Sequence, residues 1–257
     1  MAQAVSSSER RSERMKGYSG PLPPGVRIYA VGDIHGRLDL LVRIQEMISA
    51  DAAKLPAEVL RVLVFLGDYI DRGPDARGVV DRLMTMPLPG FKTLCLRGNH
   101  EETMLHFLED LGAGAGWLAY GGVATMLSYG MRLPADLPPR QRLQSAQKML
   151  REQLPVDHLH WLRGLPHYAE LGGYIFVHAG IRPGVPLERQ RDEDMVWIRE
   201  EFLNSTADFG KVVVHGHTIA MQAESLPNRI GIDTGAYVTG HLTCVVLEGD
   251  RRRFIHT

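Results

Sequence analysis

Polar side chains with metal-binding chemistry follow five strand-like runs of the sequence. The run "VRIYAV" leads into "GDIHG", "VLRVLVFL" into "GDYIDRG" and "FKTLCL" into "RGNHEE". Two later apolar runs end in "VHAG" and "HGHT". A single Asp-x-His motif is weak evidence, because it arises by chance and most histidines are structural. Five strand ends that carry Asp, His or Asn favour a shared binding site.

Carboxylates, imidazoles and amide oxygens without a thiolate form the ligand set that Mn, Fe or Zn takes in hydrolytic sites. Six such ligands can hold two ions about 3.5–4 Å apart, with one carboxylate bridging them. The sequence therefore predicts two divalent metal ions as cofactors, with Mn²⁺ expected and Fe or Zn as alternatives. Glycines beside these side chains, such as Gly67 and Gly98, allow tight turns and a close approach of the backbone to the site.

The elements that position these side chains alternate between strands and helices. After the first strand, "LDLLVRIQEMISADAA" has apolar residues at a helical period, and "ARGVVDRLMTM" predicts a helix after the second strand. This alternation with short connections predicts an α/β fold in which helices cover the sheet. Ligands of such folds collect outside the carboxyl ends of the strands, which is where the polar motifs lie.

The second half of the chain predicts a second sheet. Strand-like runs return at "GYIFV", "KVVVHG", "RIGID" and "HLTCVVLEG". Because no long helices separate the last of these runs, we expect them to form a sheet that packs on the first.

Two segments depart from this pattern. Residues 1–24 are rich in Ser, Arg, Pro and Gly, and they cannot bury enough apolar surface to offset chain entropy, so we predict a disordered tail. Residues 25–257 are then predicted to form one domain. Within it, residues 112–170 have the pattern of helices broken by glycine and proline, which predicts a helical insertion or cap.

The composition is that of an ordinary globular protein, with 44% hydrophobic and 23% charged residues. The formal net charge of −1 gives no reason to expect nucleic acid or an anionic membrane as a partner. Cys95 and Cys244 lie in apolar runs, which favours free thiols in a reducing compartment over a disulfide. No apolar stretch approaches the roughly 20 residues of a membrane span, and the N-terminus lacks the apolar core of a signal peptide. We therefore expect a cytoplasmic location.

The three motifs "GDIHG", "GDYIDRG" and "RGNHE" resemble the signature motifs of the phosphoprotein phosphatase (PPP) family, within the calcineurin-like metallophosphoesterases. The resemblance continues through "VHAG", "VWIREEF", "HGHT" and "IDTGAY", and it is greatest to the bacterial and phage members. It covers about residues 27–248. It implies a two-sheet β-sandwich flanked by helices, with the active site where the sheets meet the loops.

The resemblance implies a binuclear metal centre with six ligands. These implied ligands are Asp33, His35, Asp68, Asn99, His178 and His217. Asp68 is implied to bridge the two ions. His215 matches no ligand position, and Asp233 of "IDTG" is expected either to orient a nearby group or to form a structural turn.

The resemblance also implies the residues that handle the substrate. His100 is implied as the catalytic acid, with Asp71 as the carboxylate that orients its imidazole. Three arginines are implied to bind the phosphate, because guanidinium geometry suits a bidentate grip on its oxygens. They are Arg72, Arg97 and Arg199, with Arg182 as an alternative to Arg199.

The resulting hypothesis is a single-step, metal-dependent hydrolysis of phosphomonoesters by a hydroxide that bridges the metals. His100 would protonate the departing alkoxide. The leading substrate class is phosphoserine or phosphothreonine in a phosphoprotein or phosphopeptide, which makes the chain a protein serine/threonine phosphatase.

Two alternatives remain open. One is a hydrolase of dinucleoside polyphosphates such as diadenosine tetraphosphate; Asp71 and Glu101 favour the phosphatase, because such hydrolases usually lack an Asp at the position of Asp71. The other is a non-catalytic binding scaffold, against which the complete set of ligands and the acid argue.

Overall fold

The computed structural model describes residues 22–257. Residues 1–21 of the predicted disordered tail, residues 1–24, therefore lie outside the described residues. Within the described part, Leu22 is buried and its backbone N–H donates a 3.1 Å hydrogen bond to the carbonyl oxygen of Gly249. The predicted tail therefore extends too far at this end, because Leu22 packs into the core.

The strands form two five-stranded sheets. They are β1 Val26–Val31, β2 Leu60–Phe65, β3 Phe91–Cys95, β4 Tyr168–Leu171, β5 Tyr174–Val177, β6 Val212–His215, β7 Glu224–Ser225, β8 Arg229–Gly231, β9 Thr243–Glu248 and β10 Arg251–His256. The first sheet has the order β10-β9-β1-β2-β3, and the second has the order β4-β5-β6-β8-β7. Both sheets are mixed, with three parallel strands each: β1, β2 and β3 in the first, and β5, β6 and β8 in the second.

The helices lie between and after these strands. They are α1 Leu38–Ala52, α2 Ala76–Thr85, α3 Asn99–Glu109, α4 Gly114–Trp117, α5 Val123–Ser128, α6 Pro139–Gln153, α7 Val156–Gly164, α8 Asp192–Trp197, α9 Glu200–Leu203 and α10 Ala236–Thr239. A π-helical turn, Leu118–Gly122, connects α4 to α5, and short 3₁₀ helices lie at Leu111–Ala113 and Leu187–Arg189. Among the described residues, every helix is too short or too polar to cross a bilayer.

The core follows from the alternation of side chains along buried strands. On β1, Ile28 and Ala30 join a cluster between the two sheets that also contains Phe176 of β5. The intervening Tyr29 and Val31 belong to a second cluster, which the first sheet forms with the helices on its outer face. The two-sheet sandwich flanked by helices is thus confirmed.

The helical insertion shares the core of the first sheet. Trp117, Met126 and Leu150 belong to the same cluster as Tyr29 and Val31 of β1 and the buried apolar residues of α1 and α2. Its end differs from the predicted range 112–170, because β4 begins at Tyr168 and pairs antiparallel with β5 at the sheet edge. Four residues at an edge carry too short a pattern to reveal a strand in the sequence.

A pair of leucines on β2 tests this core. Leu63 is fully buried, whereas Leu60 on the same strand is 44% exposed. Leu63→Ala leaves a cavity between sheet and helices, so we expect the free energy of unfolding to fall by about 2–5 kcal/mol in urea denaturation. Leu60→Ala should change it by less than about 1 kcal/mol. Equal losses would contradict the packing described here.

Candidate active site

The parallel strands of the first sheet deliver polar side chains to one edge of the sandwich. Val31 of β1 pairs with Phe65 of β2, and Phe65 pairs with Cys95 of β3, so the three strands end level with one another. The residues that follow these ends include Asp33, His35, Asp68 and Asn99. All four are buried.

The second sheet contributes two histidines to the same place. His178 follows β5, and His217 follows the parallel strand β6. Asn99 Oδ1 lies 2.9 Å from His178 Nε2 and also 2.9 Å from His217 Nδ1. The structure thus joins the predicted ligands of both sheets around one amide oxygen.

Asp68 lies between the two groups of predicted ligands. Its Oδ2 is 3.3 Å from His35 Nε2, and its Oδ1 is 3.5 Å from His178 Nε2. The two oxygens of one carboxylate therefore face imidazoles of different sheets. This is the position that a carboxylate shared by two cations would take.

Asp33 lies beside His217, whose backbone N–H donates to Asp33 Oδ2 at 3.1 Å.

Glycines make room for the carboxylates of Asp33 and Asp68. A Cβ atom at Gly216 would lie 2.1 Å from Asp33 Oδ1, and one at Gly98 would lie 2.2 Å from Asp68 Oδ1. The backbone therefore forms a cradle that side chains at these two positions would fill.

Burial sets the electrostatics of the cluster. It raises the pKa of Asp33 well above the ordinary value, and the neighbouring Asp233 and Asp68 carboxylates raise it further. Burial also raises the pKa of Asp68. The two carboxylates thus lack a full balance of positive charge from the protein itself.

The histidines of the cluster are held in the neutral form that binds metals. Burial lowers the pKa of His35 and of His178 well below the ordinary value. Burial, and next the charge of Arg199, lowers the pKa of His217 to about 3. The buried Nε2 of His217 also has no hydrogen-bond partner within the described residues.

Two groups of donor atoms can hold cations, and Asp68 belongs to both. One group is Asp68, His178 and His217, and the other contains His35, Asp68 and His100, with donor atoms within 4.8 Å of one another in each. His100 takes the place where Asp33 is the predicted ligand. We favour Asp33, because the nitrogens of His100 already face Asp71 and Arg72. With that choice, the residues present fit two divalent cations.

His100 is held by its neighbours at both ring nitrogens. Its Nδ1 lies 2.6 Å from Asp71 Oδ2, and its Nε2 lies 3.1 Å from Arg72 Nη2. Because a guanidinium only donates, this geometry places the hydrogen of a neutral ring on Nδ1. Burial by itself would lower the pKa of His100, but the Asp68 carboxylate and the bond to Asp71 outweigh it and raise that pKa.

The predicted phosphate-binding arginines have different surroundings. Arg72 lies over the ring of Tyr237, with Cζ 4.6 Å from the ring centroid. Arg199 is exposed and donates to Thr218 Oγ1 at 3.1 Å. Thr218 directly follows His217, so Arg72 and Arg199 both border the cluster.

Arg97 is engaged elsewhere. Its guanidinium donates to Glu102 at 2.9 Å and to the carbonyl oxygens of Leu162 and Arg163, at the end of α7. It therefore fastens the helical insertion in this structure, and its contact with phosphate stays a prediction. Arg182 is likewise bound by Asp194 and Glu201, so Arg199 is the better candidate of the two.

His215 and Asp233 lie beside the cluster. His215 is buried, with its ring packed edge-on against Phe202, and burial lowers its pKa to about 4. Asp233 accepts the backbone N–H of Gly235 at 2.9 Å, as expected of a turn. Burial raises the pKa of Asp233 to about 6.

Two further residues at the site have roles that sequence reasoning missed. Glu101 is fully buried, and its carboxylate accepts the backbone N–H groups of Asp68 and Tyr69 at 2.9 and 2.8 Å. A glutamate at the third position of α3 is a signal for helix capping, and Glu101 does accept the backbone N–H of Gly98 at 2.9 Å. Its bonds to Asp68 and Tyr69, in the loop after β2, have no such signal. Thr125, in the insertion, bonds to Asp71, and no motif in the sequence marks it.

The comparisons with known proteins agree with this geometry. The profile of the calcineurin-like phosphoesterase family matches residues 26–241. Serine/threonine-protein phosphatase 2 of Escherichia coli K12 is 28% identical over 232 residues, which cover 84% of this chain and 90% of the relative. The asymmetrical bis(5'-nucleosyl)-tetraphosphatase PrpE of Anoxybacillus flavithermus is 26% identical over 201 residues, which cover 72% of this chain and 75% of the relative.

Solved structures share the fold. A crystal structure provisionally assigned to a diadenosine tetraphosphatase has a TM-score of 0.62 and 20% sequence identity, and the match covers 93% of this chain and 98% of that one.

Loss of the shared carboxylate tests the site. Asp68→Asn removes a charge from both donor groups, so we expect purified protein dialysed against Mn²⁺ to retain much less metal and to lose phosphoesterase turnover. Elemental analysis of metal per chain measures this directly. Asp39→Asn is the matched control, because Asp39 is an exposed carboxylate paired with Arg37. An Asp68→Asn protein with wild-type metal content and turnover would show that the ligand assignment is wrong.

Proposed function

The chain belongs to the calcineurin-like phosphoesterase family and is a metal-binding hydrolase of phosphoesters. We propose that it removes phosphate from phosphoserine and phosphothreonine in proteins. The 2.6 Å contact between His100 and Asp71 carries the proposal. A serine or threonine alkoxide is a poor leaving group and needs a proton as the bond to phosphorus breaks. A nucleoside phosphate leaves as a stabilised anion and has much less need of an acid.

The chain's own residues divide the work. Arg72 and Arg199 border the cluster, where their guanidinium groups would bind phosphoryl oxygens and offset the charge that grows on them. Divalent ions held by the cluster would supply Lewis acidity toward the phosphate and activate a water at neutral pH. We propose Mn²⁺ as the native metal, with Fe or Zn as alternatives that suit the same thiolate-free donor set.

His100 would give its proton through Nε2, which faces the cluster side of the ring. Asp71 accepts from Nδ1 and thereby fixes the ring and stabilises its protonated form. In this structure Arg72 donates toward Nε2. Substrate phosphate would draw that guanidinium onto its own oxygens and leave Nε2 free for the leaving group.

Cleavage of dinucleoside polyphosphates is the second candidate. Relatives carry that name, and two aromatic rings lie at the border of the cluster where a base could stack. Trp197 is 44% exposed with its ring 6.0 Å from that of His217, and Tyr237 packs edge-on against His35. Both rings are equally compatible with a peptide, so the leaving-group argument decides our preference.

A cytoplasmic location is part of the proposal. Cys95 lies on β3 and Cys244 on β9, and both are free thiols. Burial raises the pKa of Cys95 to about 12, and it raises that of Cys244 as well. Such inert thiols are typical of proteins in reducing compartments.

A direct comparison of the two substrate classes tests the proposal. We expect the Mn²⁺-loaded protein to hydrolyse a phosphoserine peptide with a higher kcat/KM than diadenosine tetraphosphate, because the proposed acid His100 protonates an alkoxide leaving group. Phosphate release and nucleotide chromatography measure the two reactions in one preparation. A higher kcat/KM for diadenosine tetraphosphate would assign the second candidate instead, and turnover of neither substrate would overturn both candidates.

Removal of the acid gives an independent prediction. His100→Asn should slow hydrolysis of the phosphoserine peptide by roughly 10²–10⁴, the range for a positioned general acid. The loss on 4-nitrophenyl phosphate should be clearly smaller, because nitrophenolate leaves without protonation. His106→Asn is the control, since His106 lies on the same helix with its side chain 62% exposed. Equal losses on both substrates at full metal content would exclude His100 as the acid, and loss of metal would make it a ligand.

A further inference from the structure

We propose that Thr125 of the helical insertion is a positioning residue for catalysis, which sets the Asp71 carboxylate and through it the acid His100. The inference rests on the proposed role of His100 as the acid. It does not depend on whether the substrate is a protein or a nucleotide.

Thr125 makes two hydrogen bonds to one residue. Its hydroxyl accepts the backbone N–H of Asp71 at 2.8 Å and donates to Asp71 Oδ1 at 2.6 Å. Both residues are fully buried, at 0% exposure. A hydroxyl has one donor and two acceptor sites, so this pair of bonds fixes the rotation of the hydroxyl and holds one oxygen of the carboxylate in place.

The fixed carboxylate leaves one oxygen for the acid. With Oδ1 occupied by Thr125, Asp71 Oδ2 faces His100 Nδ1 at 2.6 Å. Three groups therefore form a chain that runs from the insertion to the imidazole. A change in the direction of the carboxylate would turn the ring and move Nε2 away from the position that the leaving group needs.

The insertion contacts the adjoining residue of the same loop. Gly121, in the π-helical turn, accepts the backbone N–H of Arg72 at 3.3 Å. Its φ of 120° is open to glycine, and a Cβ there would lie 2.6 Å from the Arg72 nitrogen. The insertion thus bonds to the backbone N–H groups of two consecutive residues, Asp71 and Arg72, on the loop that carries the acid's partner.

These contacts meet a local need of the backbone. Asp71 and Arg72 have left-handed φ angles of 69° and 67°, which are costly for residues with a Cβ. Strained residues persist only where the surroundings hold them in place. Thr125 and Gly121 supply hydrogen bonds at both of these positions, which gives the insertion a part in the active site.

The test pairs two variants at one position. Thr125→Val keeps the shape and removes the hydroxyl, whereas Thr125→Ser keeps the hydroxyl. We expect Thr125→Val to lower kcat for phenyl phosphate by roughly 10- to 100-fold. It should lower kcat for 4-nitrophenyl phosphate clearly less, because nitrophenolate needs little help from the acid. Thr125→Ser should restore the wild-type ratio of the two rates.

A double-mutant cycle separates positioning from a purely structural effect. In a His100→Asn background, Thr125→Val should not change the ratio of the two rates any further, because Thr125 is proposed to affect that ratio through the His100 imidazole. Thermal unfolding and metal content, measured on every variant, report damage to the fold. Equal losses of Thr125→Val on both esters, or an additive loss in the His100→Asn background, would overturn the proposal. If His100→Asn leaves the ratio of the two rates unchanged, the failure belongs to the proposed acid and not to Thr125.

Discussion

Two buried carboxylates impose the charge balance on which the rest of this structure depends. Asp33 and Asp68 follow adjacent parallel strands, and each is only 2% exposed. Burial raises the pKa of both, because an isolated charge is costly away from water. His35, His178 and His217 are neutral and supply no charge, and the charges of His100 and Arg72 lower the pKa of Asp68 without outweighing its burial. Divalent cations would supply the remaining positive charge, and the sandwich is the scaffold that holds the residues that would bind them.

The strained parts of the backbone also lie at this site. Among residues 22–257, five residues other than glycine have positive φ angles, and all five are predicted site residues. They are His35, Asp68, Asp71, Arg72 and His217. Such conformations cost of order 1–3 kcal/mol each, so neighbouring groups must stabilise them. Glu101 does this for Asp68 by accepting its backbone N–H at 2.9 Å. Stability is therefore lost locally to aim side chains that packing alone would not orient.

Much of the site could be predicted from the sequence, because its residues directly follow strands. Once "GDIHG" and "GDYIDRG" are placed after parallel strands, the level strand ends bring Asp33 and Asp68 to one edge. Two of the three partners of Arg97 could not be predicted in this way. They are the backbone carbonyls of Leu162 and Arg163, more than 60 residues away, whose position depends on how α7 packs. The contact of Thr125 with Asp71 could not be predicted for the same reason, since a lone threonine 54 residues away forms no local sequence pattern.

Anomalous diffraction tests the central claim, which is that two cations share Asp68. Crystals grown with Mn²⁺ and measured at the manganese absorption edge locate each ion without reference to activity. The account predicts two anomalous peaks about 3.5–4 Å apart, with Asp68 bound to both. A single peak, or two peaks of which Asp68 contacts at most one, would contradict it.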